Sequence, residues 1–311
     1  MNELRTDRGQ ATVLTVVFLT VMLGMTALVL DVGSWFREQR DTQAAADASA
    51  LAAAQALPND TGRADGLAHE YLAKNRGGTA TVTFSSKFAD HDTVTVEVER
   101  QAPGFFSKLF GIAGVDVGAK ATARAAGIEA ARWVAPIVVH IDHPLLNCGS
   151  VNGRPVPCFG KPTTLQLINL HSPGGGDAAG SFGLINLDSS GGNIGADTLA
   201  KWVIQGFDKY MKIGTYNAAP SANFNNSQFL SALSIRKDDV LLFPIYETLM
   251  GSGSGAKYDV AGWVGFKVSS FEAKGDSSTV TGSFTEVIWE GIQANTGGGA
   301  NYGVRTISLV E

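Results

Sequence analysis

Cysteine is scarce in this sequence: there are two in 311 residues, Cys148 and Cys158. That excludes a cysteine-rich metal module or a dense disulfide framework. Charge is also sparse, at 17 % of residues against about a quarter in ordinary globular domains. The 24 lysines and arginines form no stripe, so no surface suited to a phosphate backbone is apparent and nucleic acid is not an expected partner. A net charge of −5 and a pI near 5.6 point the same way. Long apolar runs are missing with one exception. What the chain does have is glycine, 37 residues, well above the roughly 7 % average. A hydrophobic content of 44 % excludes wholesale disorder.

The exception is residues 11–30, ATVLTVVFLTVMLGMTALVL, which contain no charge, proline, asparagine or glutamine. As a helix rising 1.5 Å per residue, such a segment crosses the roughly 30 Å hydrocarbon layer. The sequence therefore predicts one membrane-spanning helix in contact with the lipid bilayer, residues 1–10 on the cytoplasmic side and the rest beyond it. A cleaved secretory signal would have a shorter apolar region and a small-residue cleavage site, whereas this run passes straight into Asp31 and SWFREQRDTQ. Arg5 and Arg8 before it balance Arg37 and Arg40 after it, so the positive-inside count is a tie. The cysteines bear on the side. They flank CGSVNGRPVPC, where Asn152-Gly153, Pro155 and Pro157 supply turn chemistry. A Cys148–Cys158 disulfide would need an oxidising compartment and an extracytoplasmic body; the alternative is two reduced thiols in a core.

Beyond the span, residues 31–57 read as a continuing alanine-rich helix, with no proline before Pro58. Ala45, Ala48, Ala52 and Ala56 recur at helical spacing. A face of small side chains lets backbones approach closely, against another helix, as in a homo-oligomer, or against the protein's own sheet. A solvated stalk is the plain alternative. The expected helix-packing interface is Asp31, Ala45, Ala48 and Ala52, with the Asp31 carboxylate hydrated at the membrane boundary.

Residues 62–127 then read as a small α+β module. A short helix over RADGLAHEYLAKN presents Leu67, Tyr71 and Leu72; TATVTF and TVTVEVE form a hairpin about ADHD; FFSKLFGI is an amphipathic turn; and VDVGAKATARA returns as a strand. From residue 133 to 311, short β-rich runs divided by glycine predict a mainly antiparallel domain, with helices over residues 197–211 and 225–236. The fold class is α+β: a transmembrane helix, an alanine-rich stalk, a small α+β module and a β-rich domain.

Chemistry is thin. His140 and His143 lack a convergent ligand set and read as a strand end with solvent-facing imidazoles. Ser252 in Gly251-Ser252-Gly253-Ser254-Gly255 formally matches a nucleophile motif but sits in a flexible tract rather than a strand-to-helix elbow. The Gly174–Gly176 run lacks the Lys-Ser/Thr of a phosphate loop. No catalytic residue, cofactor or metal is expected.

One N-terminal pattern is specific. Arg8-Gly9 before the apolar segment, Asp31-Val32-Gly33 at its outer end, then Gln43, Asp47 and the run Ala50 through Ala53 resemble the signature of the bacterial Tad (Flp pilus-assembly) TadE/TadG-like family over residues 7–57. The resemblance implies a single-pass membrane protein with an exported body that assembles with other Tad pilus proteins. Prepilin-like members carry glutamate five residues after the cleavage-site glycine; here Leu14 stands five after Gly9, which favours the TadG-like, uncleaved side. Some larger TadG-like proteins resemble von Willebrand factor A domains in their C-terminal regions, and Asp188 with Ser190 echoes the Asp-x-Ser-x-Ser metal-adhesion motif, with Gly192 in the third place. A surface adhesin with a degenerate metal site of that kind is the rival reading.

Overall fold

The structure, a computed structural model, describes residues 7–151, 154–168, 181–188, 194–275, 277–294 and 302–310. In chain order the helices are α1 (Asp7–Ala54), α2 (Thr61–Lys74), α3 (Ala196–Gln205) and α4 (Ser227–Ile235). The strands are β1 (Thr79–Ser85), β2 (Thr93–Pro103), β3 (Gly114–Ala131), β4 (Ile137–His140), β5 (Gly149–Val151), β6 (Arg154–Val156), β7 (Pro162–Leu167) and β8 (Ser181–Leu184). They continue as β9 (Met211–Lys212), β10 (Gly214–Asn217), β11 (Val240–Met250), β12 (Lys257–Glu272), β13 (Thr279–Thr285), β14 (Val287–Ile288), β15 (Gly291–Gln293) and β16 (Val304–Val310). The architecture is α+β with mostly antiparallel sheets. It divides into two compact units, residues 1–125 with 307–311, and residues 126–306.

In the first unit, α1 runs unbroken for 48 residues, as its lack of proline and wealth of alanine and leucine dictate. Its first part, residues 10–30, is exposed except at the half-buried Ala27 and contains an 18-residue window of mean hydropathy 2.5, long and apolar enough to cross a membrane. Even the hydroxyls there turn inward. Thr15, Thr20 and Thr26 donate to the carbonyls of Ala11, Val16 and Met22 at 2.8–2.9 Å, which leaves those groups satisfied without water.

The second part of α1 is packed. Ala45, Ala46, Ala50, Ala53 and Ala54 are buried in one core with Ala64, Ala68 and Leu72 of α2 and with Val94, Val96 and Val98 of β2. On α2, the fully buried stripe is Ala64, Ala68 and Leu72, while Leu67 and Tyr71 are half-buried. Of the expected Leu67, Tyr71 and Leu72, only Leu72 lies in the contact, because two alanine faces bring the helices closer than larger side chains would. Asp60 caps α2 by accepting from the Arg63 N–H at 2.8 Å. β1 and β2 form the expected hairpin, Thr79 opposite Glu99 and Ser85 opposite Thr93. β3 continues the sheet on the far side of β2, and β16 follows β3.

In the second unit the strand order is β12-β11-β4-β8-β7-β13, and β13 pairs again with β12, so six strands close into a ring with β10 added alongside β12. The steps β11–β4 and β7–β8 are parallel and the others antiparallel. Closure removes the sheet edges within the ring. Its core is aromatic: Phe182, Phe243, Tyr246, Tyr258, Phe266 and Phe284 are fully buried. Gly183 belongs to this packing, since a Cβ there would collide with the Tyr258 hydroxyl.

The helix expected over residues 197–211 stops at Gln205. Gly206 adopts φ +77 against the Trp133 backbone, leaving no space for a side chain, and Met211 opens β9 instead. β3 runs unbroken across the junction at residue 125, the alanine-rich part of α1 belongs with the small module, and residues 307–311 return to the first unit. Pairing between distant strands decides this, and composition does not reveal it.

Candidate functional site

The family-like residues of α1 acquire partners in the first unit. Asp31, expected to be hydrated, is instead buried. Its carboxylate accepts the backbone N–H groups of Phe105 (2.9 Å), Phe106 (3.1 and 3.2 Å) and Ser107 (2.6 Å). The loop between β2 and β3 is thereby held at the point where α1 ends its apolar run. Charge-assisted bonds of this kind are roughly twice as strong as neutral ones, and without them three loop N–H groups would lose their acceptor.

Two glutamines extend the attachment. Gln39 Nε2 donates to the Gly118 carbonyl at 2.7 Å, and Gln43 Nε2 donates to the Lys120 carbonyl at 3.1 Å and to Asp47 Oδ1 at 2.8 Å. Residues four apart on a helix and two apart on a strand both advance about 6 Å, so the two amides read alternate carbonyls along β3. Thr42, between them, is buried and returns its hydroxyl to the Glu38 carbonyl at 2.7 Å. Glu38 itself meets Arg76 at 3.2 Å and the buried Arg100 at 3.7 Å, while Arg100 donates from Nε to the Gly77 carbonyl at 2.7 Å.

Of the small residues expected to form a helix-packing interface, Ala45 and Ala52 are buried within this chain and Ala48 is half-buried. Gly33, by contrast, has nothing within 4 Å of where a Cβ would stand, and no contact explains it. Sequence reasoning missed the loop 105–107 as the partner of Asp31, and it missed Gln39; the only local signal was the amphipathic FFSKLFGI beside Gly104.

The remaining candidates lie in the second unit. His140 and His143 are buried rather than solvent-facing. His140 Nδ1 accepts from the Asp142 N–H at 3.1 Å, and its ring meets Tyr246 edge-on with centroids 5.0 Å apart. His143 Nδ1 accepts from the Leu145 N–H at 3.1 Å, so its Nε2 carries the proton toward Thr163 Oγ1, also at 3.1 Å. Burial pushes the His143 pKa below its usual value and keeps the imidazole neutral. Cys148 and Cys158 bracket the β5–β6 hairpin with their sulfurs 2.00 Å apart, at bonding distance, and Cα atoms 5.6 Å apart. Ser252 is exposed beside a single 3-10 turn between β11 and β12. Asp188 is exposed and donates its N–H to Asn186 Oδ1 at 3.1 Å; Ser190, Gly192, Gly174–Gly176 and Asn152-Gly153 lie outside the described residues. Among the described residues, no three of His, Cys, Asp and Glu gather as a metal site would require.

Residues 9–56 match the Tad family model, described as "Putative Flp pilus-assembly TadE/G-like". The match ends two residues past α1 and contains Asp31, Gln39, Gln43 and the buried alanines. Comparison with curated proteins gives no match, and neither does comparison with solved structures.

Proposed function

We propose that this chain is a membrane-anchored structural component of a Tad (Flp-type, tight-adherence) pilus system. Residues 11–30 cross the cell membrane, and the body lies outside the cytoplasm, where it contacts pilus or envelope proteins without catalysing a reaction. The observation that supports this reading is one coincidence: the TadE/G-like segment, residues 9–56, is a single helix whose first part is apolar on every side and whose second part is built into a folded body. A helix apolar all round calls for lipid or a protein core, and among the described residues none of its apolar window is buried. The exported side is supported by the cysteine pair at bonding distance, a pairing that lasts in oxidising compartments.

Lateral contact with other Tad proteins, or with a second copy, falls in this proposal to what α1 leaves open: the apolar span and the side bearing Ala48. Ala45, Ala52 and Asp31 serve it indirectly, by fixing the body to the helix. The test is purification of the detergent-solubilised full-length protein from cells that assemble the pilus, with immunodetection of the other Tad-system proteins. Their co-purification, together with loss of piliation on deletion of this chain, is the expected result. Their absence, with normal piliation in the deletion strain, overturns the proposal. For the side, protease added outside cell-wall-stripped cells should digest the body; a protected body overturns the exported orientation.

A further inference from the structure

We infer that the loop joining β2 to β3, residues 104–113, is a second membrane contact, a short apolar finger seated in the outer face of the bilayer and locked to α1 by Asp31. The inference rests on the membrane reading of residues 11–30.

The loop reads GFFSKLFGIA and holds one charge, Lys108. Phe105, Phe106, Leu109, Phe110 and Ile112 are all exposed, Leu109 and Phe110 at 83 % and 82 %. Five large apolar side chains on ten residues form a patch of the kind that marks an interaction surface. The finger is structured. The Gly104 N–H donates to the Ala113 carbonyl at 2.9 Å, closing its neck, while the Ile112 N–H donates to the Ser107 carbonyl and the Ser107 hydroxyl to the Ile112 carbonyl, both at 3.1 Å. Residues 107–110 make a 3-10 turn stopped by Gly111 at φ +81.

Its position names the occupant. Asp31 follows Leu30, the last residue of the apolar run, and the same carboxylate holds the N–H groups of residues 105–107. The finger's backbone therefore lies at the level where the helix leaves the hydrocarbon. Beyond the roughly 30 Å core, each face of a bilayer adds several ångströms of headgroup region, within reach of phenylalanine and leucine side chains starting from that level. Aromatic and aliphatic residues with a single lysine suit this layer, where rings sit among the headgroups and an ammonium meets phosphate. The patch is thus continuous with the proposed lipid contact of the span, which favours lipid over a protein partner.

The test uses the full-length protein in phosphatidylcholine nanodiscs, with a single cysteine carrying the environment-sensitive dye NBD at Leu109→Cys, Met25→Cys or Ser85→Cys. The native cysteines are bonded to each other and leave the dye to the new one. Leu109 and Ser85 are exposed, so folding is not at stake there. With 5-doxyl lipid, dye at Leu109→Cys should be blue-shifted and quenched at least twofold, at Met25→Cys quenched as well, and at Ser85→Cys unaffected. Asp31→Asn should at least halve the quenching at Leu109→Cys and leave Met25→Cys unchanged. A water-like, unquenched dye at Leu109→Cys beside a quenched one at Met25→Cys overturns the finger and leaves the span standing. An unquenched dye at Met25→Cys overturns the membrane reading itself. A blue shift at Leu109→Cys that doxyl lipid does not quench means a protein surface or a second copy covers the loop, and it also overturns the inference. An Asp31→Asn protein with undiminished quenching overturns the lock.

Discussion

The core of the unit that carries α1 is mostly alanine, with three valines and two leucines and, among the described residues, no fully buried ring, whereas that of residues 126–306 adds phenylalanine, tyrosine and tryptophan to its valine, leucine and isoleucine. The difference is one of area. Alanine faces let α1 lie close on α2 and β2 but bury little apolar surface per residue, so the first unit leans on directed polar bonds from Asp31, Gln39, Gln43, Asp60 and Arg100. The barrel-like ring encloses stacked and edge-on rings, such as Phe243 on Phe266 at 5.0 Å and Phe266 against Phe284 at 5.2 Å, and buries far more apolar area per residue. A small-residue core tolerates no added bulk; an aromatic core tolerates no loss.

Each side of that contrast can be broken on its own, with hydrogen exchange read separately over the two units. The largest effect is expected from Phe266→Ala, which removes a ring fully buried between two others and should cost about 3–5 kcal/mol, seen as lost protection in β11 to β13. If protection there is unchanged, the aromatic core is not what holds the ring. Reducing the Cys148–Cys158 pair, separated by 10 residues, should lower the stability of the second unit by roughly 2–3 kcal/mol on the chain-entropy account. Alkylation before reduction should find no free thiol. Ala50→Leu, in the first unit, should cost about 1–3 kcal/mol by overpacking, and Ala48→Phe less, because Ala48 is half-open. If Ala48→Phe abolishes co-purification while the body stays folded, that face of α1 is the assembly surface. Gln43→Ala should cost about 0.5–1.5 kcal/mol, with faster exchange at the edge of β3.

The smallest effects come from pH, and they differ between the units. Burial of Asp92 works to raise its pKa, but the N–H groups of Lys87, Phe88 and Ala89 and the Thr93 hydroxyl outweigh it, so the carboxyl titrates below its usual range. Its contribution is present above about pH 3.9, the unfolded value, and is lost as pH falls through the lower folded value. His143, also depressed, contributes fully above about pH 6.5 and loses that contribution as pH drops from there toward its folded value. Urea melts should therefore show the second unit weakening first on mild acidification, and His143→Asn should flatten that slope. An unchanged slope would place the responsible group elsewhere.

Much of this was legible locally. The uncharged run 11–30, the alanine spacing beyond it and the alternation of TATVTF and TVTVEVE each specify their element, because helix and strand periodicities involve neighbours two to four residues apart. The Tad-like residues were equally visible, yet their use was not. Gln43 and Asp31 stood in the pattern without the carbonyl of Lys120 or the N–H groups of residues 105–107 that give them work, since those partners lie 74 to 77 residues away in the chain. His140 and His143 were misplaced in solvent for the same reason: Tyr246, Thr163 and Phe284 cover them from other strands.

The sequence alone determined that α1 is one helix with an apolar first part and a small-residue second part, because backbone propensity and side-chain size act within a few turns. Only the tertiary structure decided that the small residues face this chain's own α2 and β2, that β13 closes on β12, and that β16 lies beside β3. Those outcomes depend on which distant strands pair, and pairing is selected by the total surface buried and by polar groups satisfied across long loops, quantities that no local pattern carries.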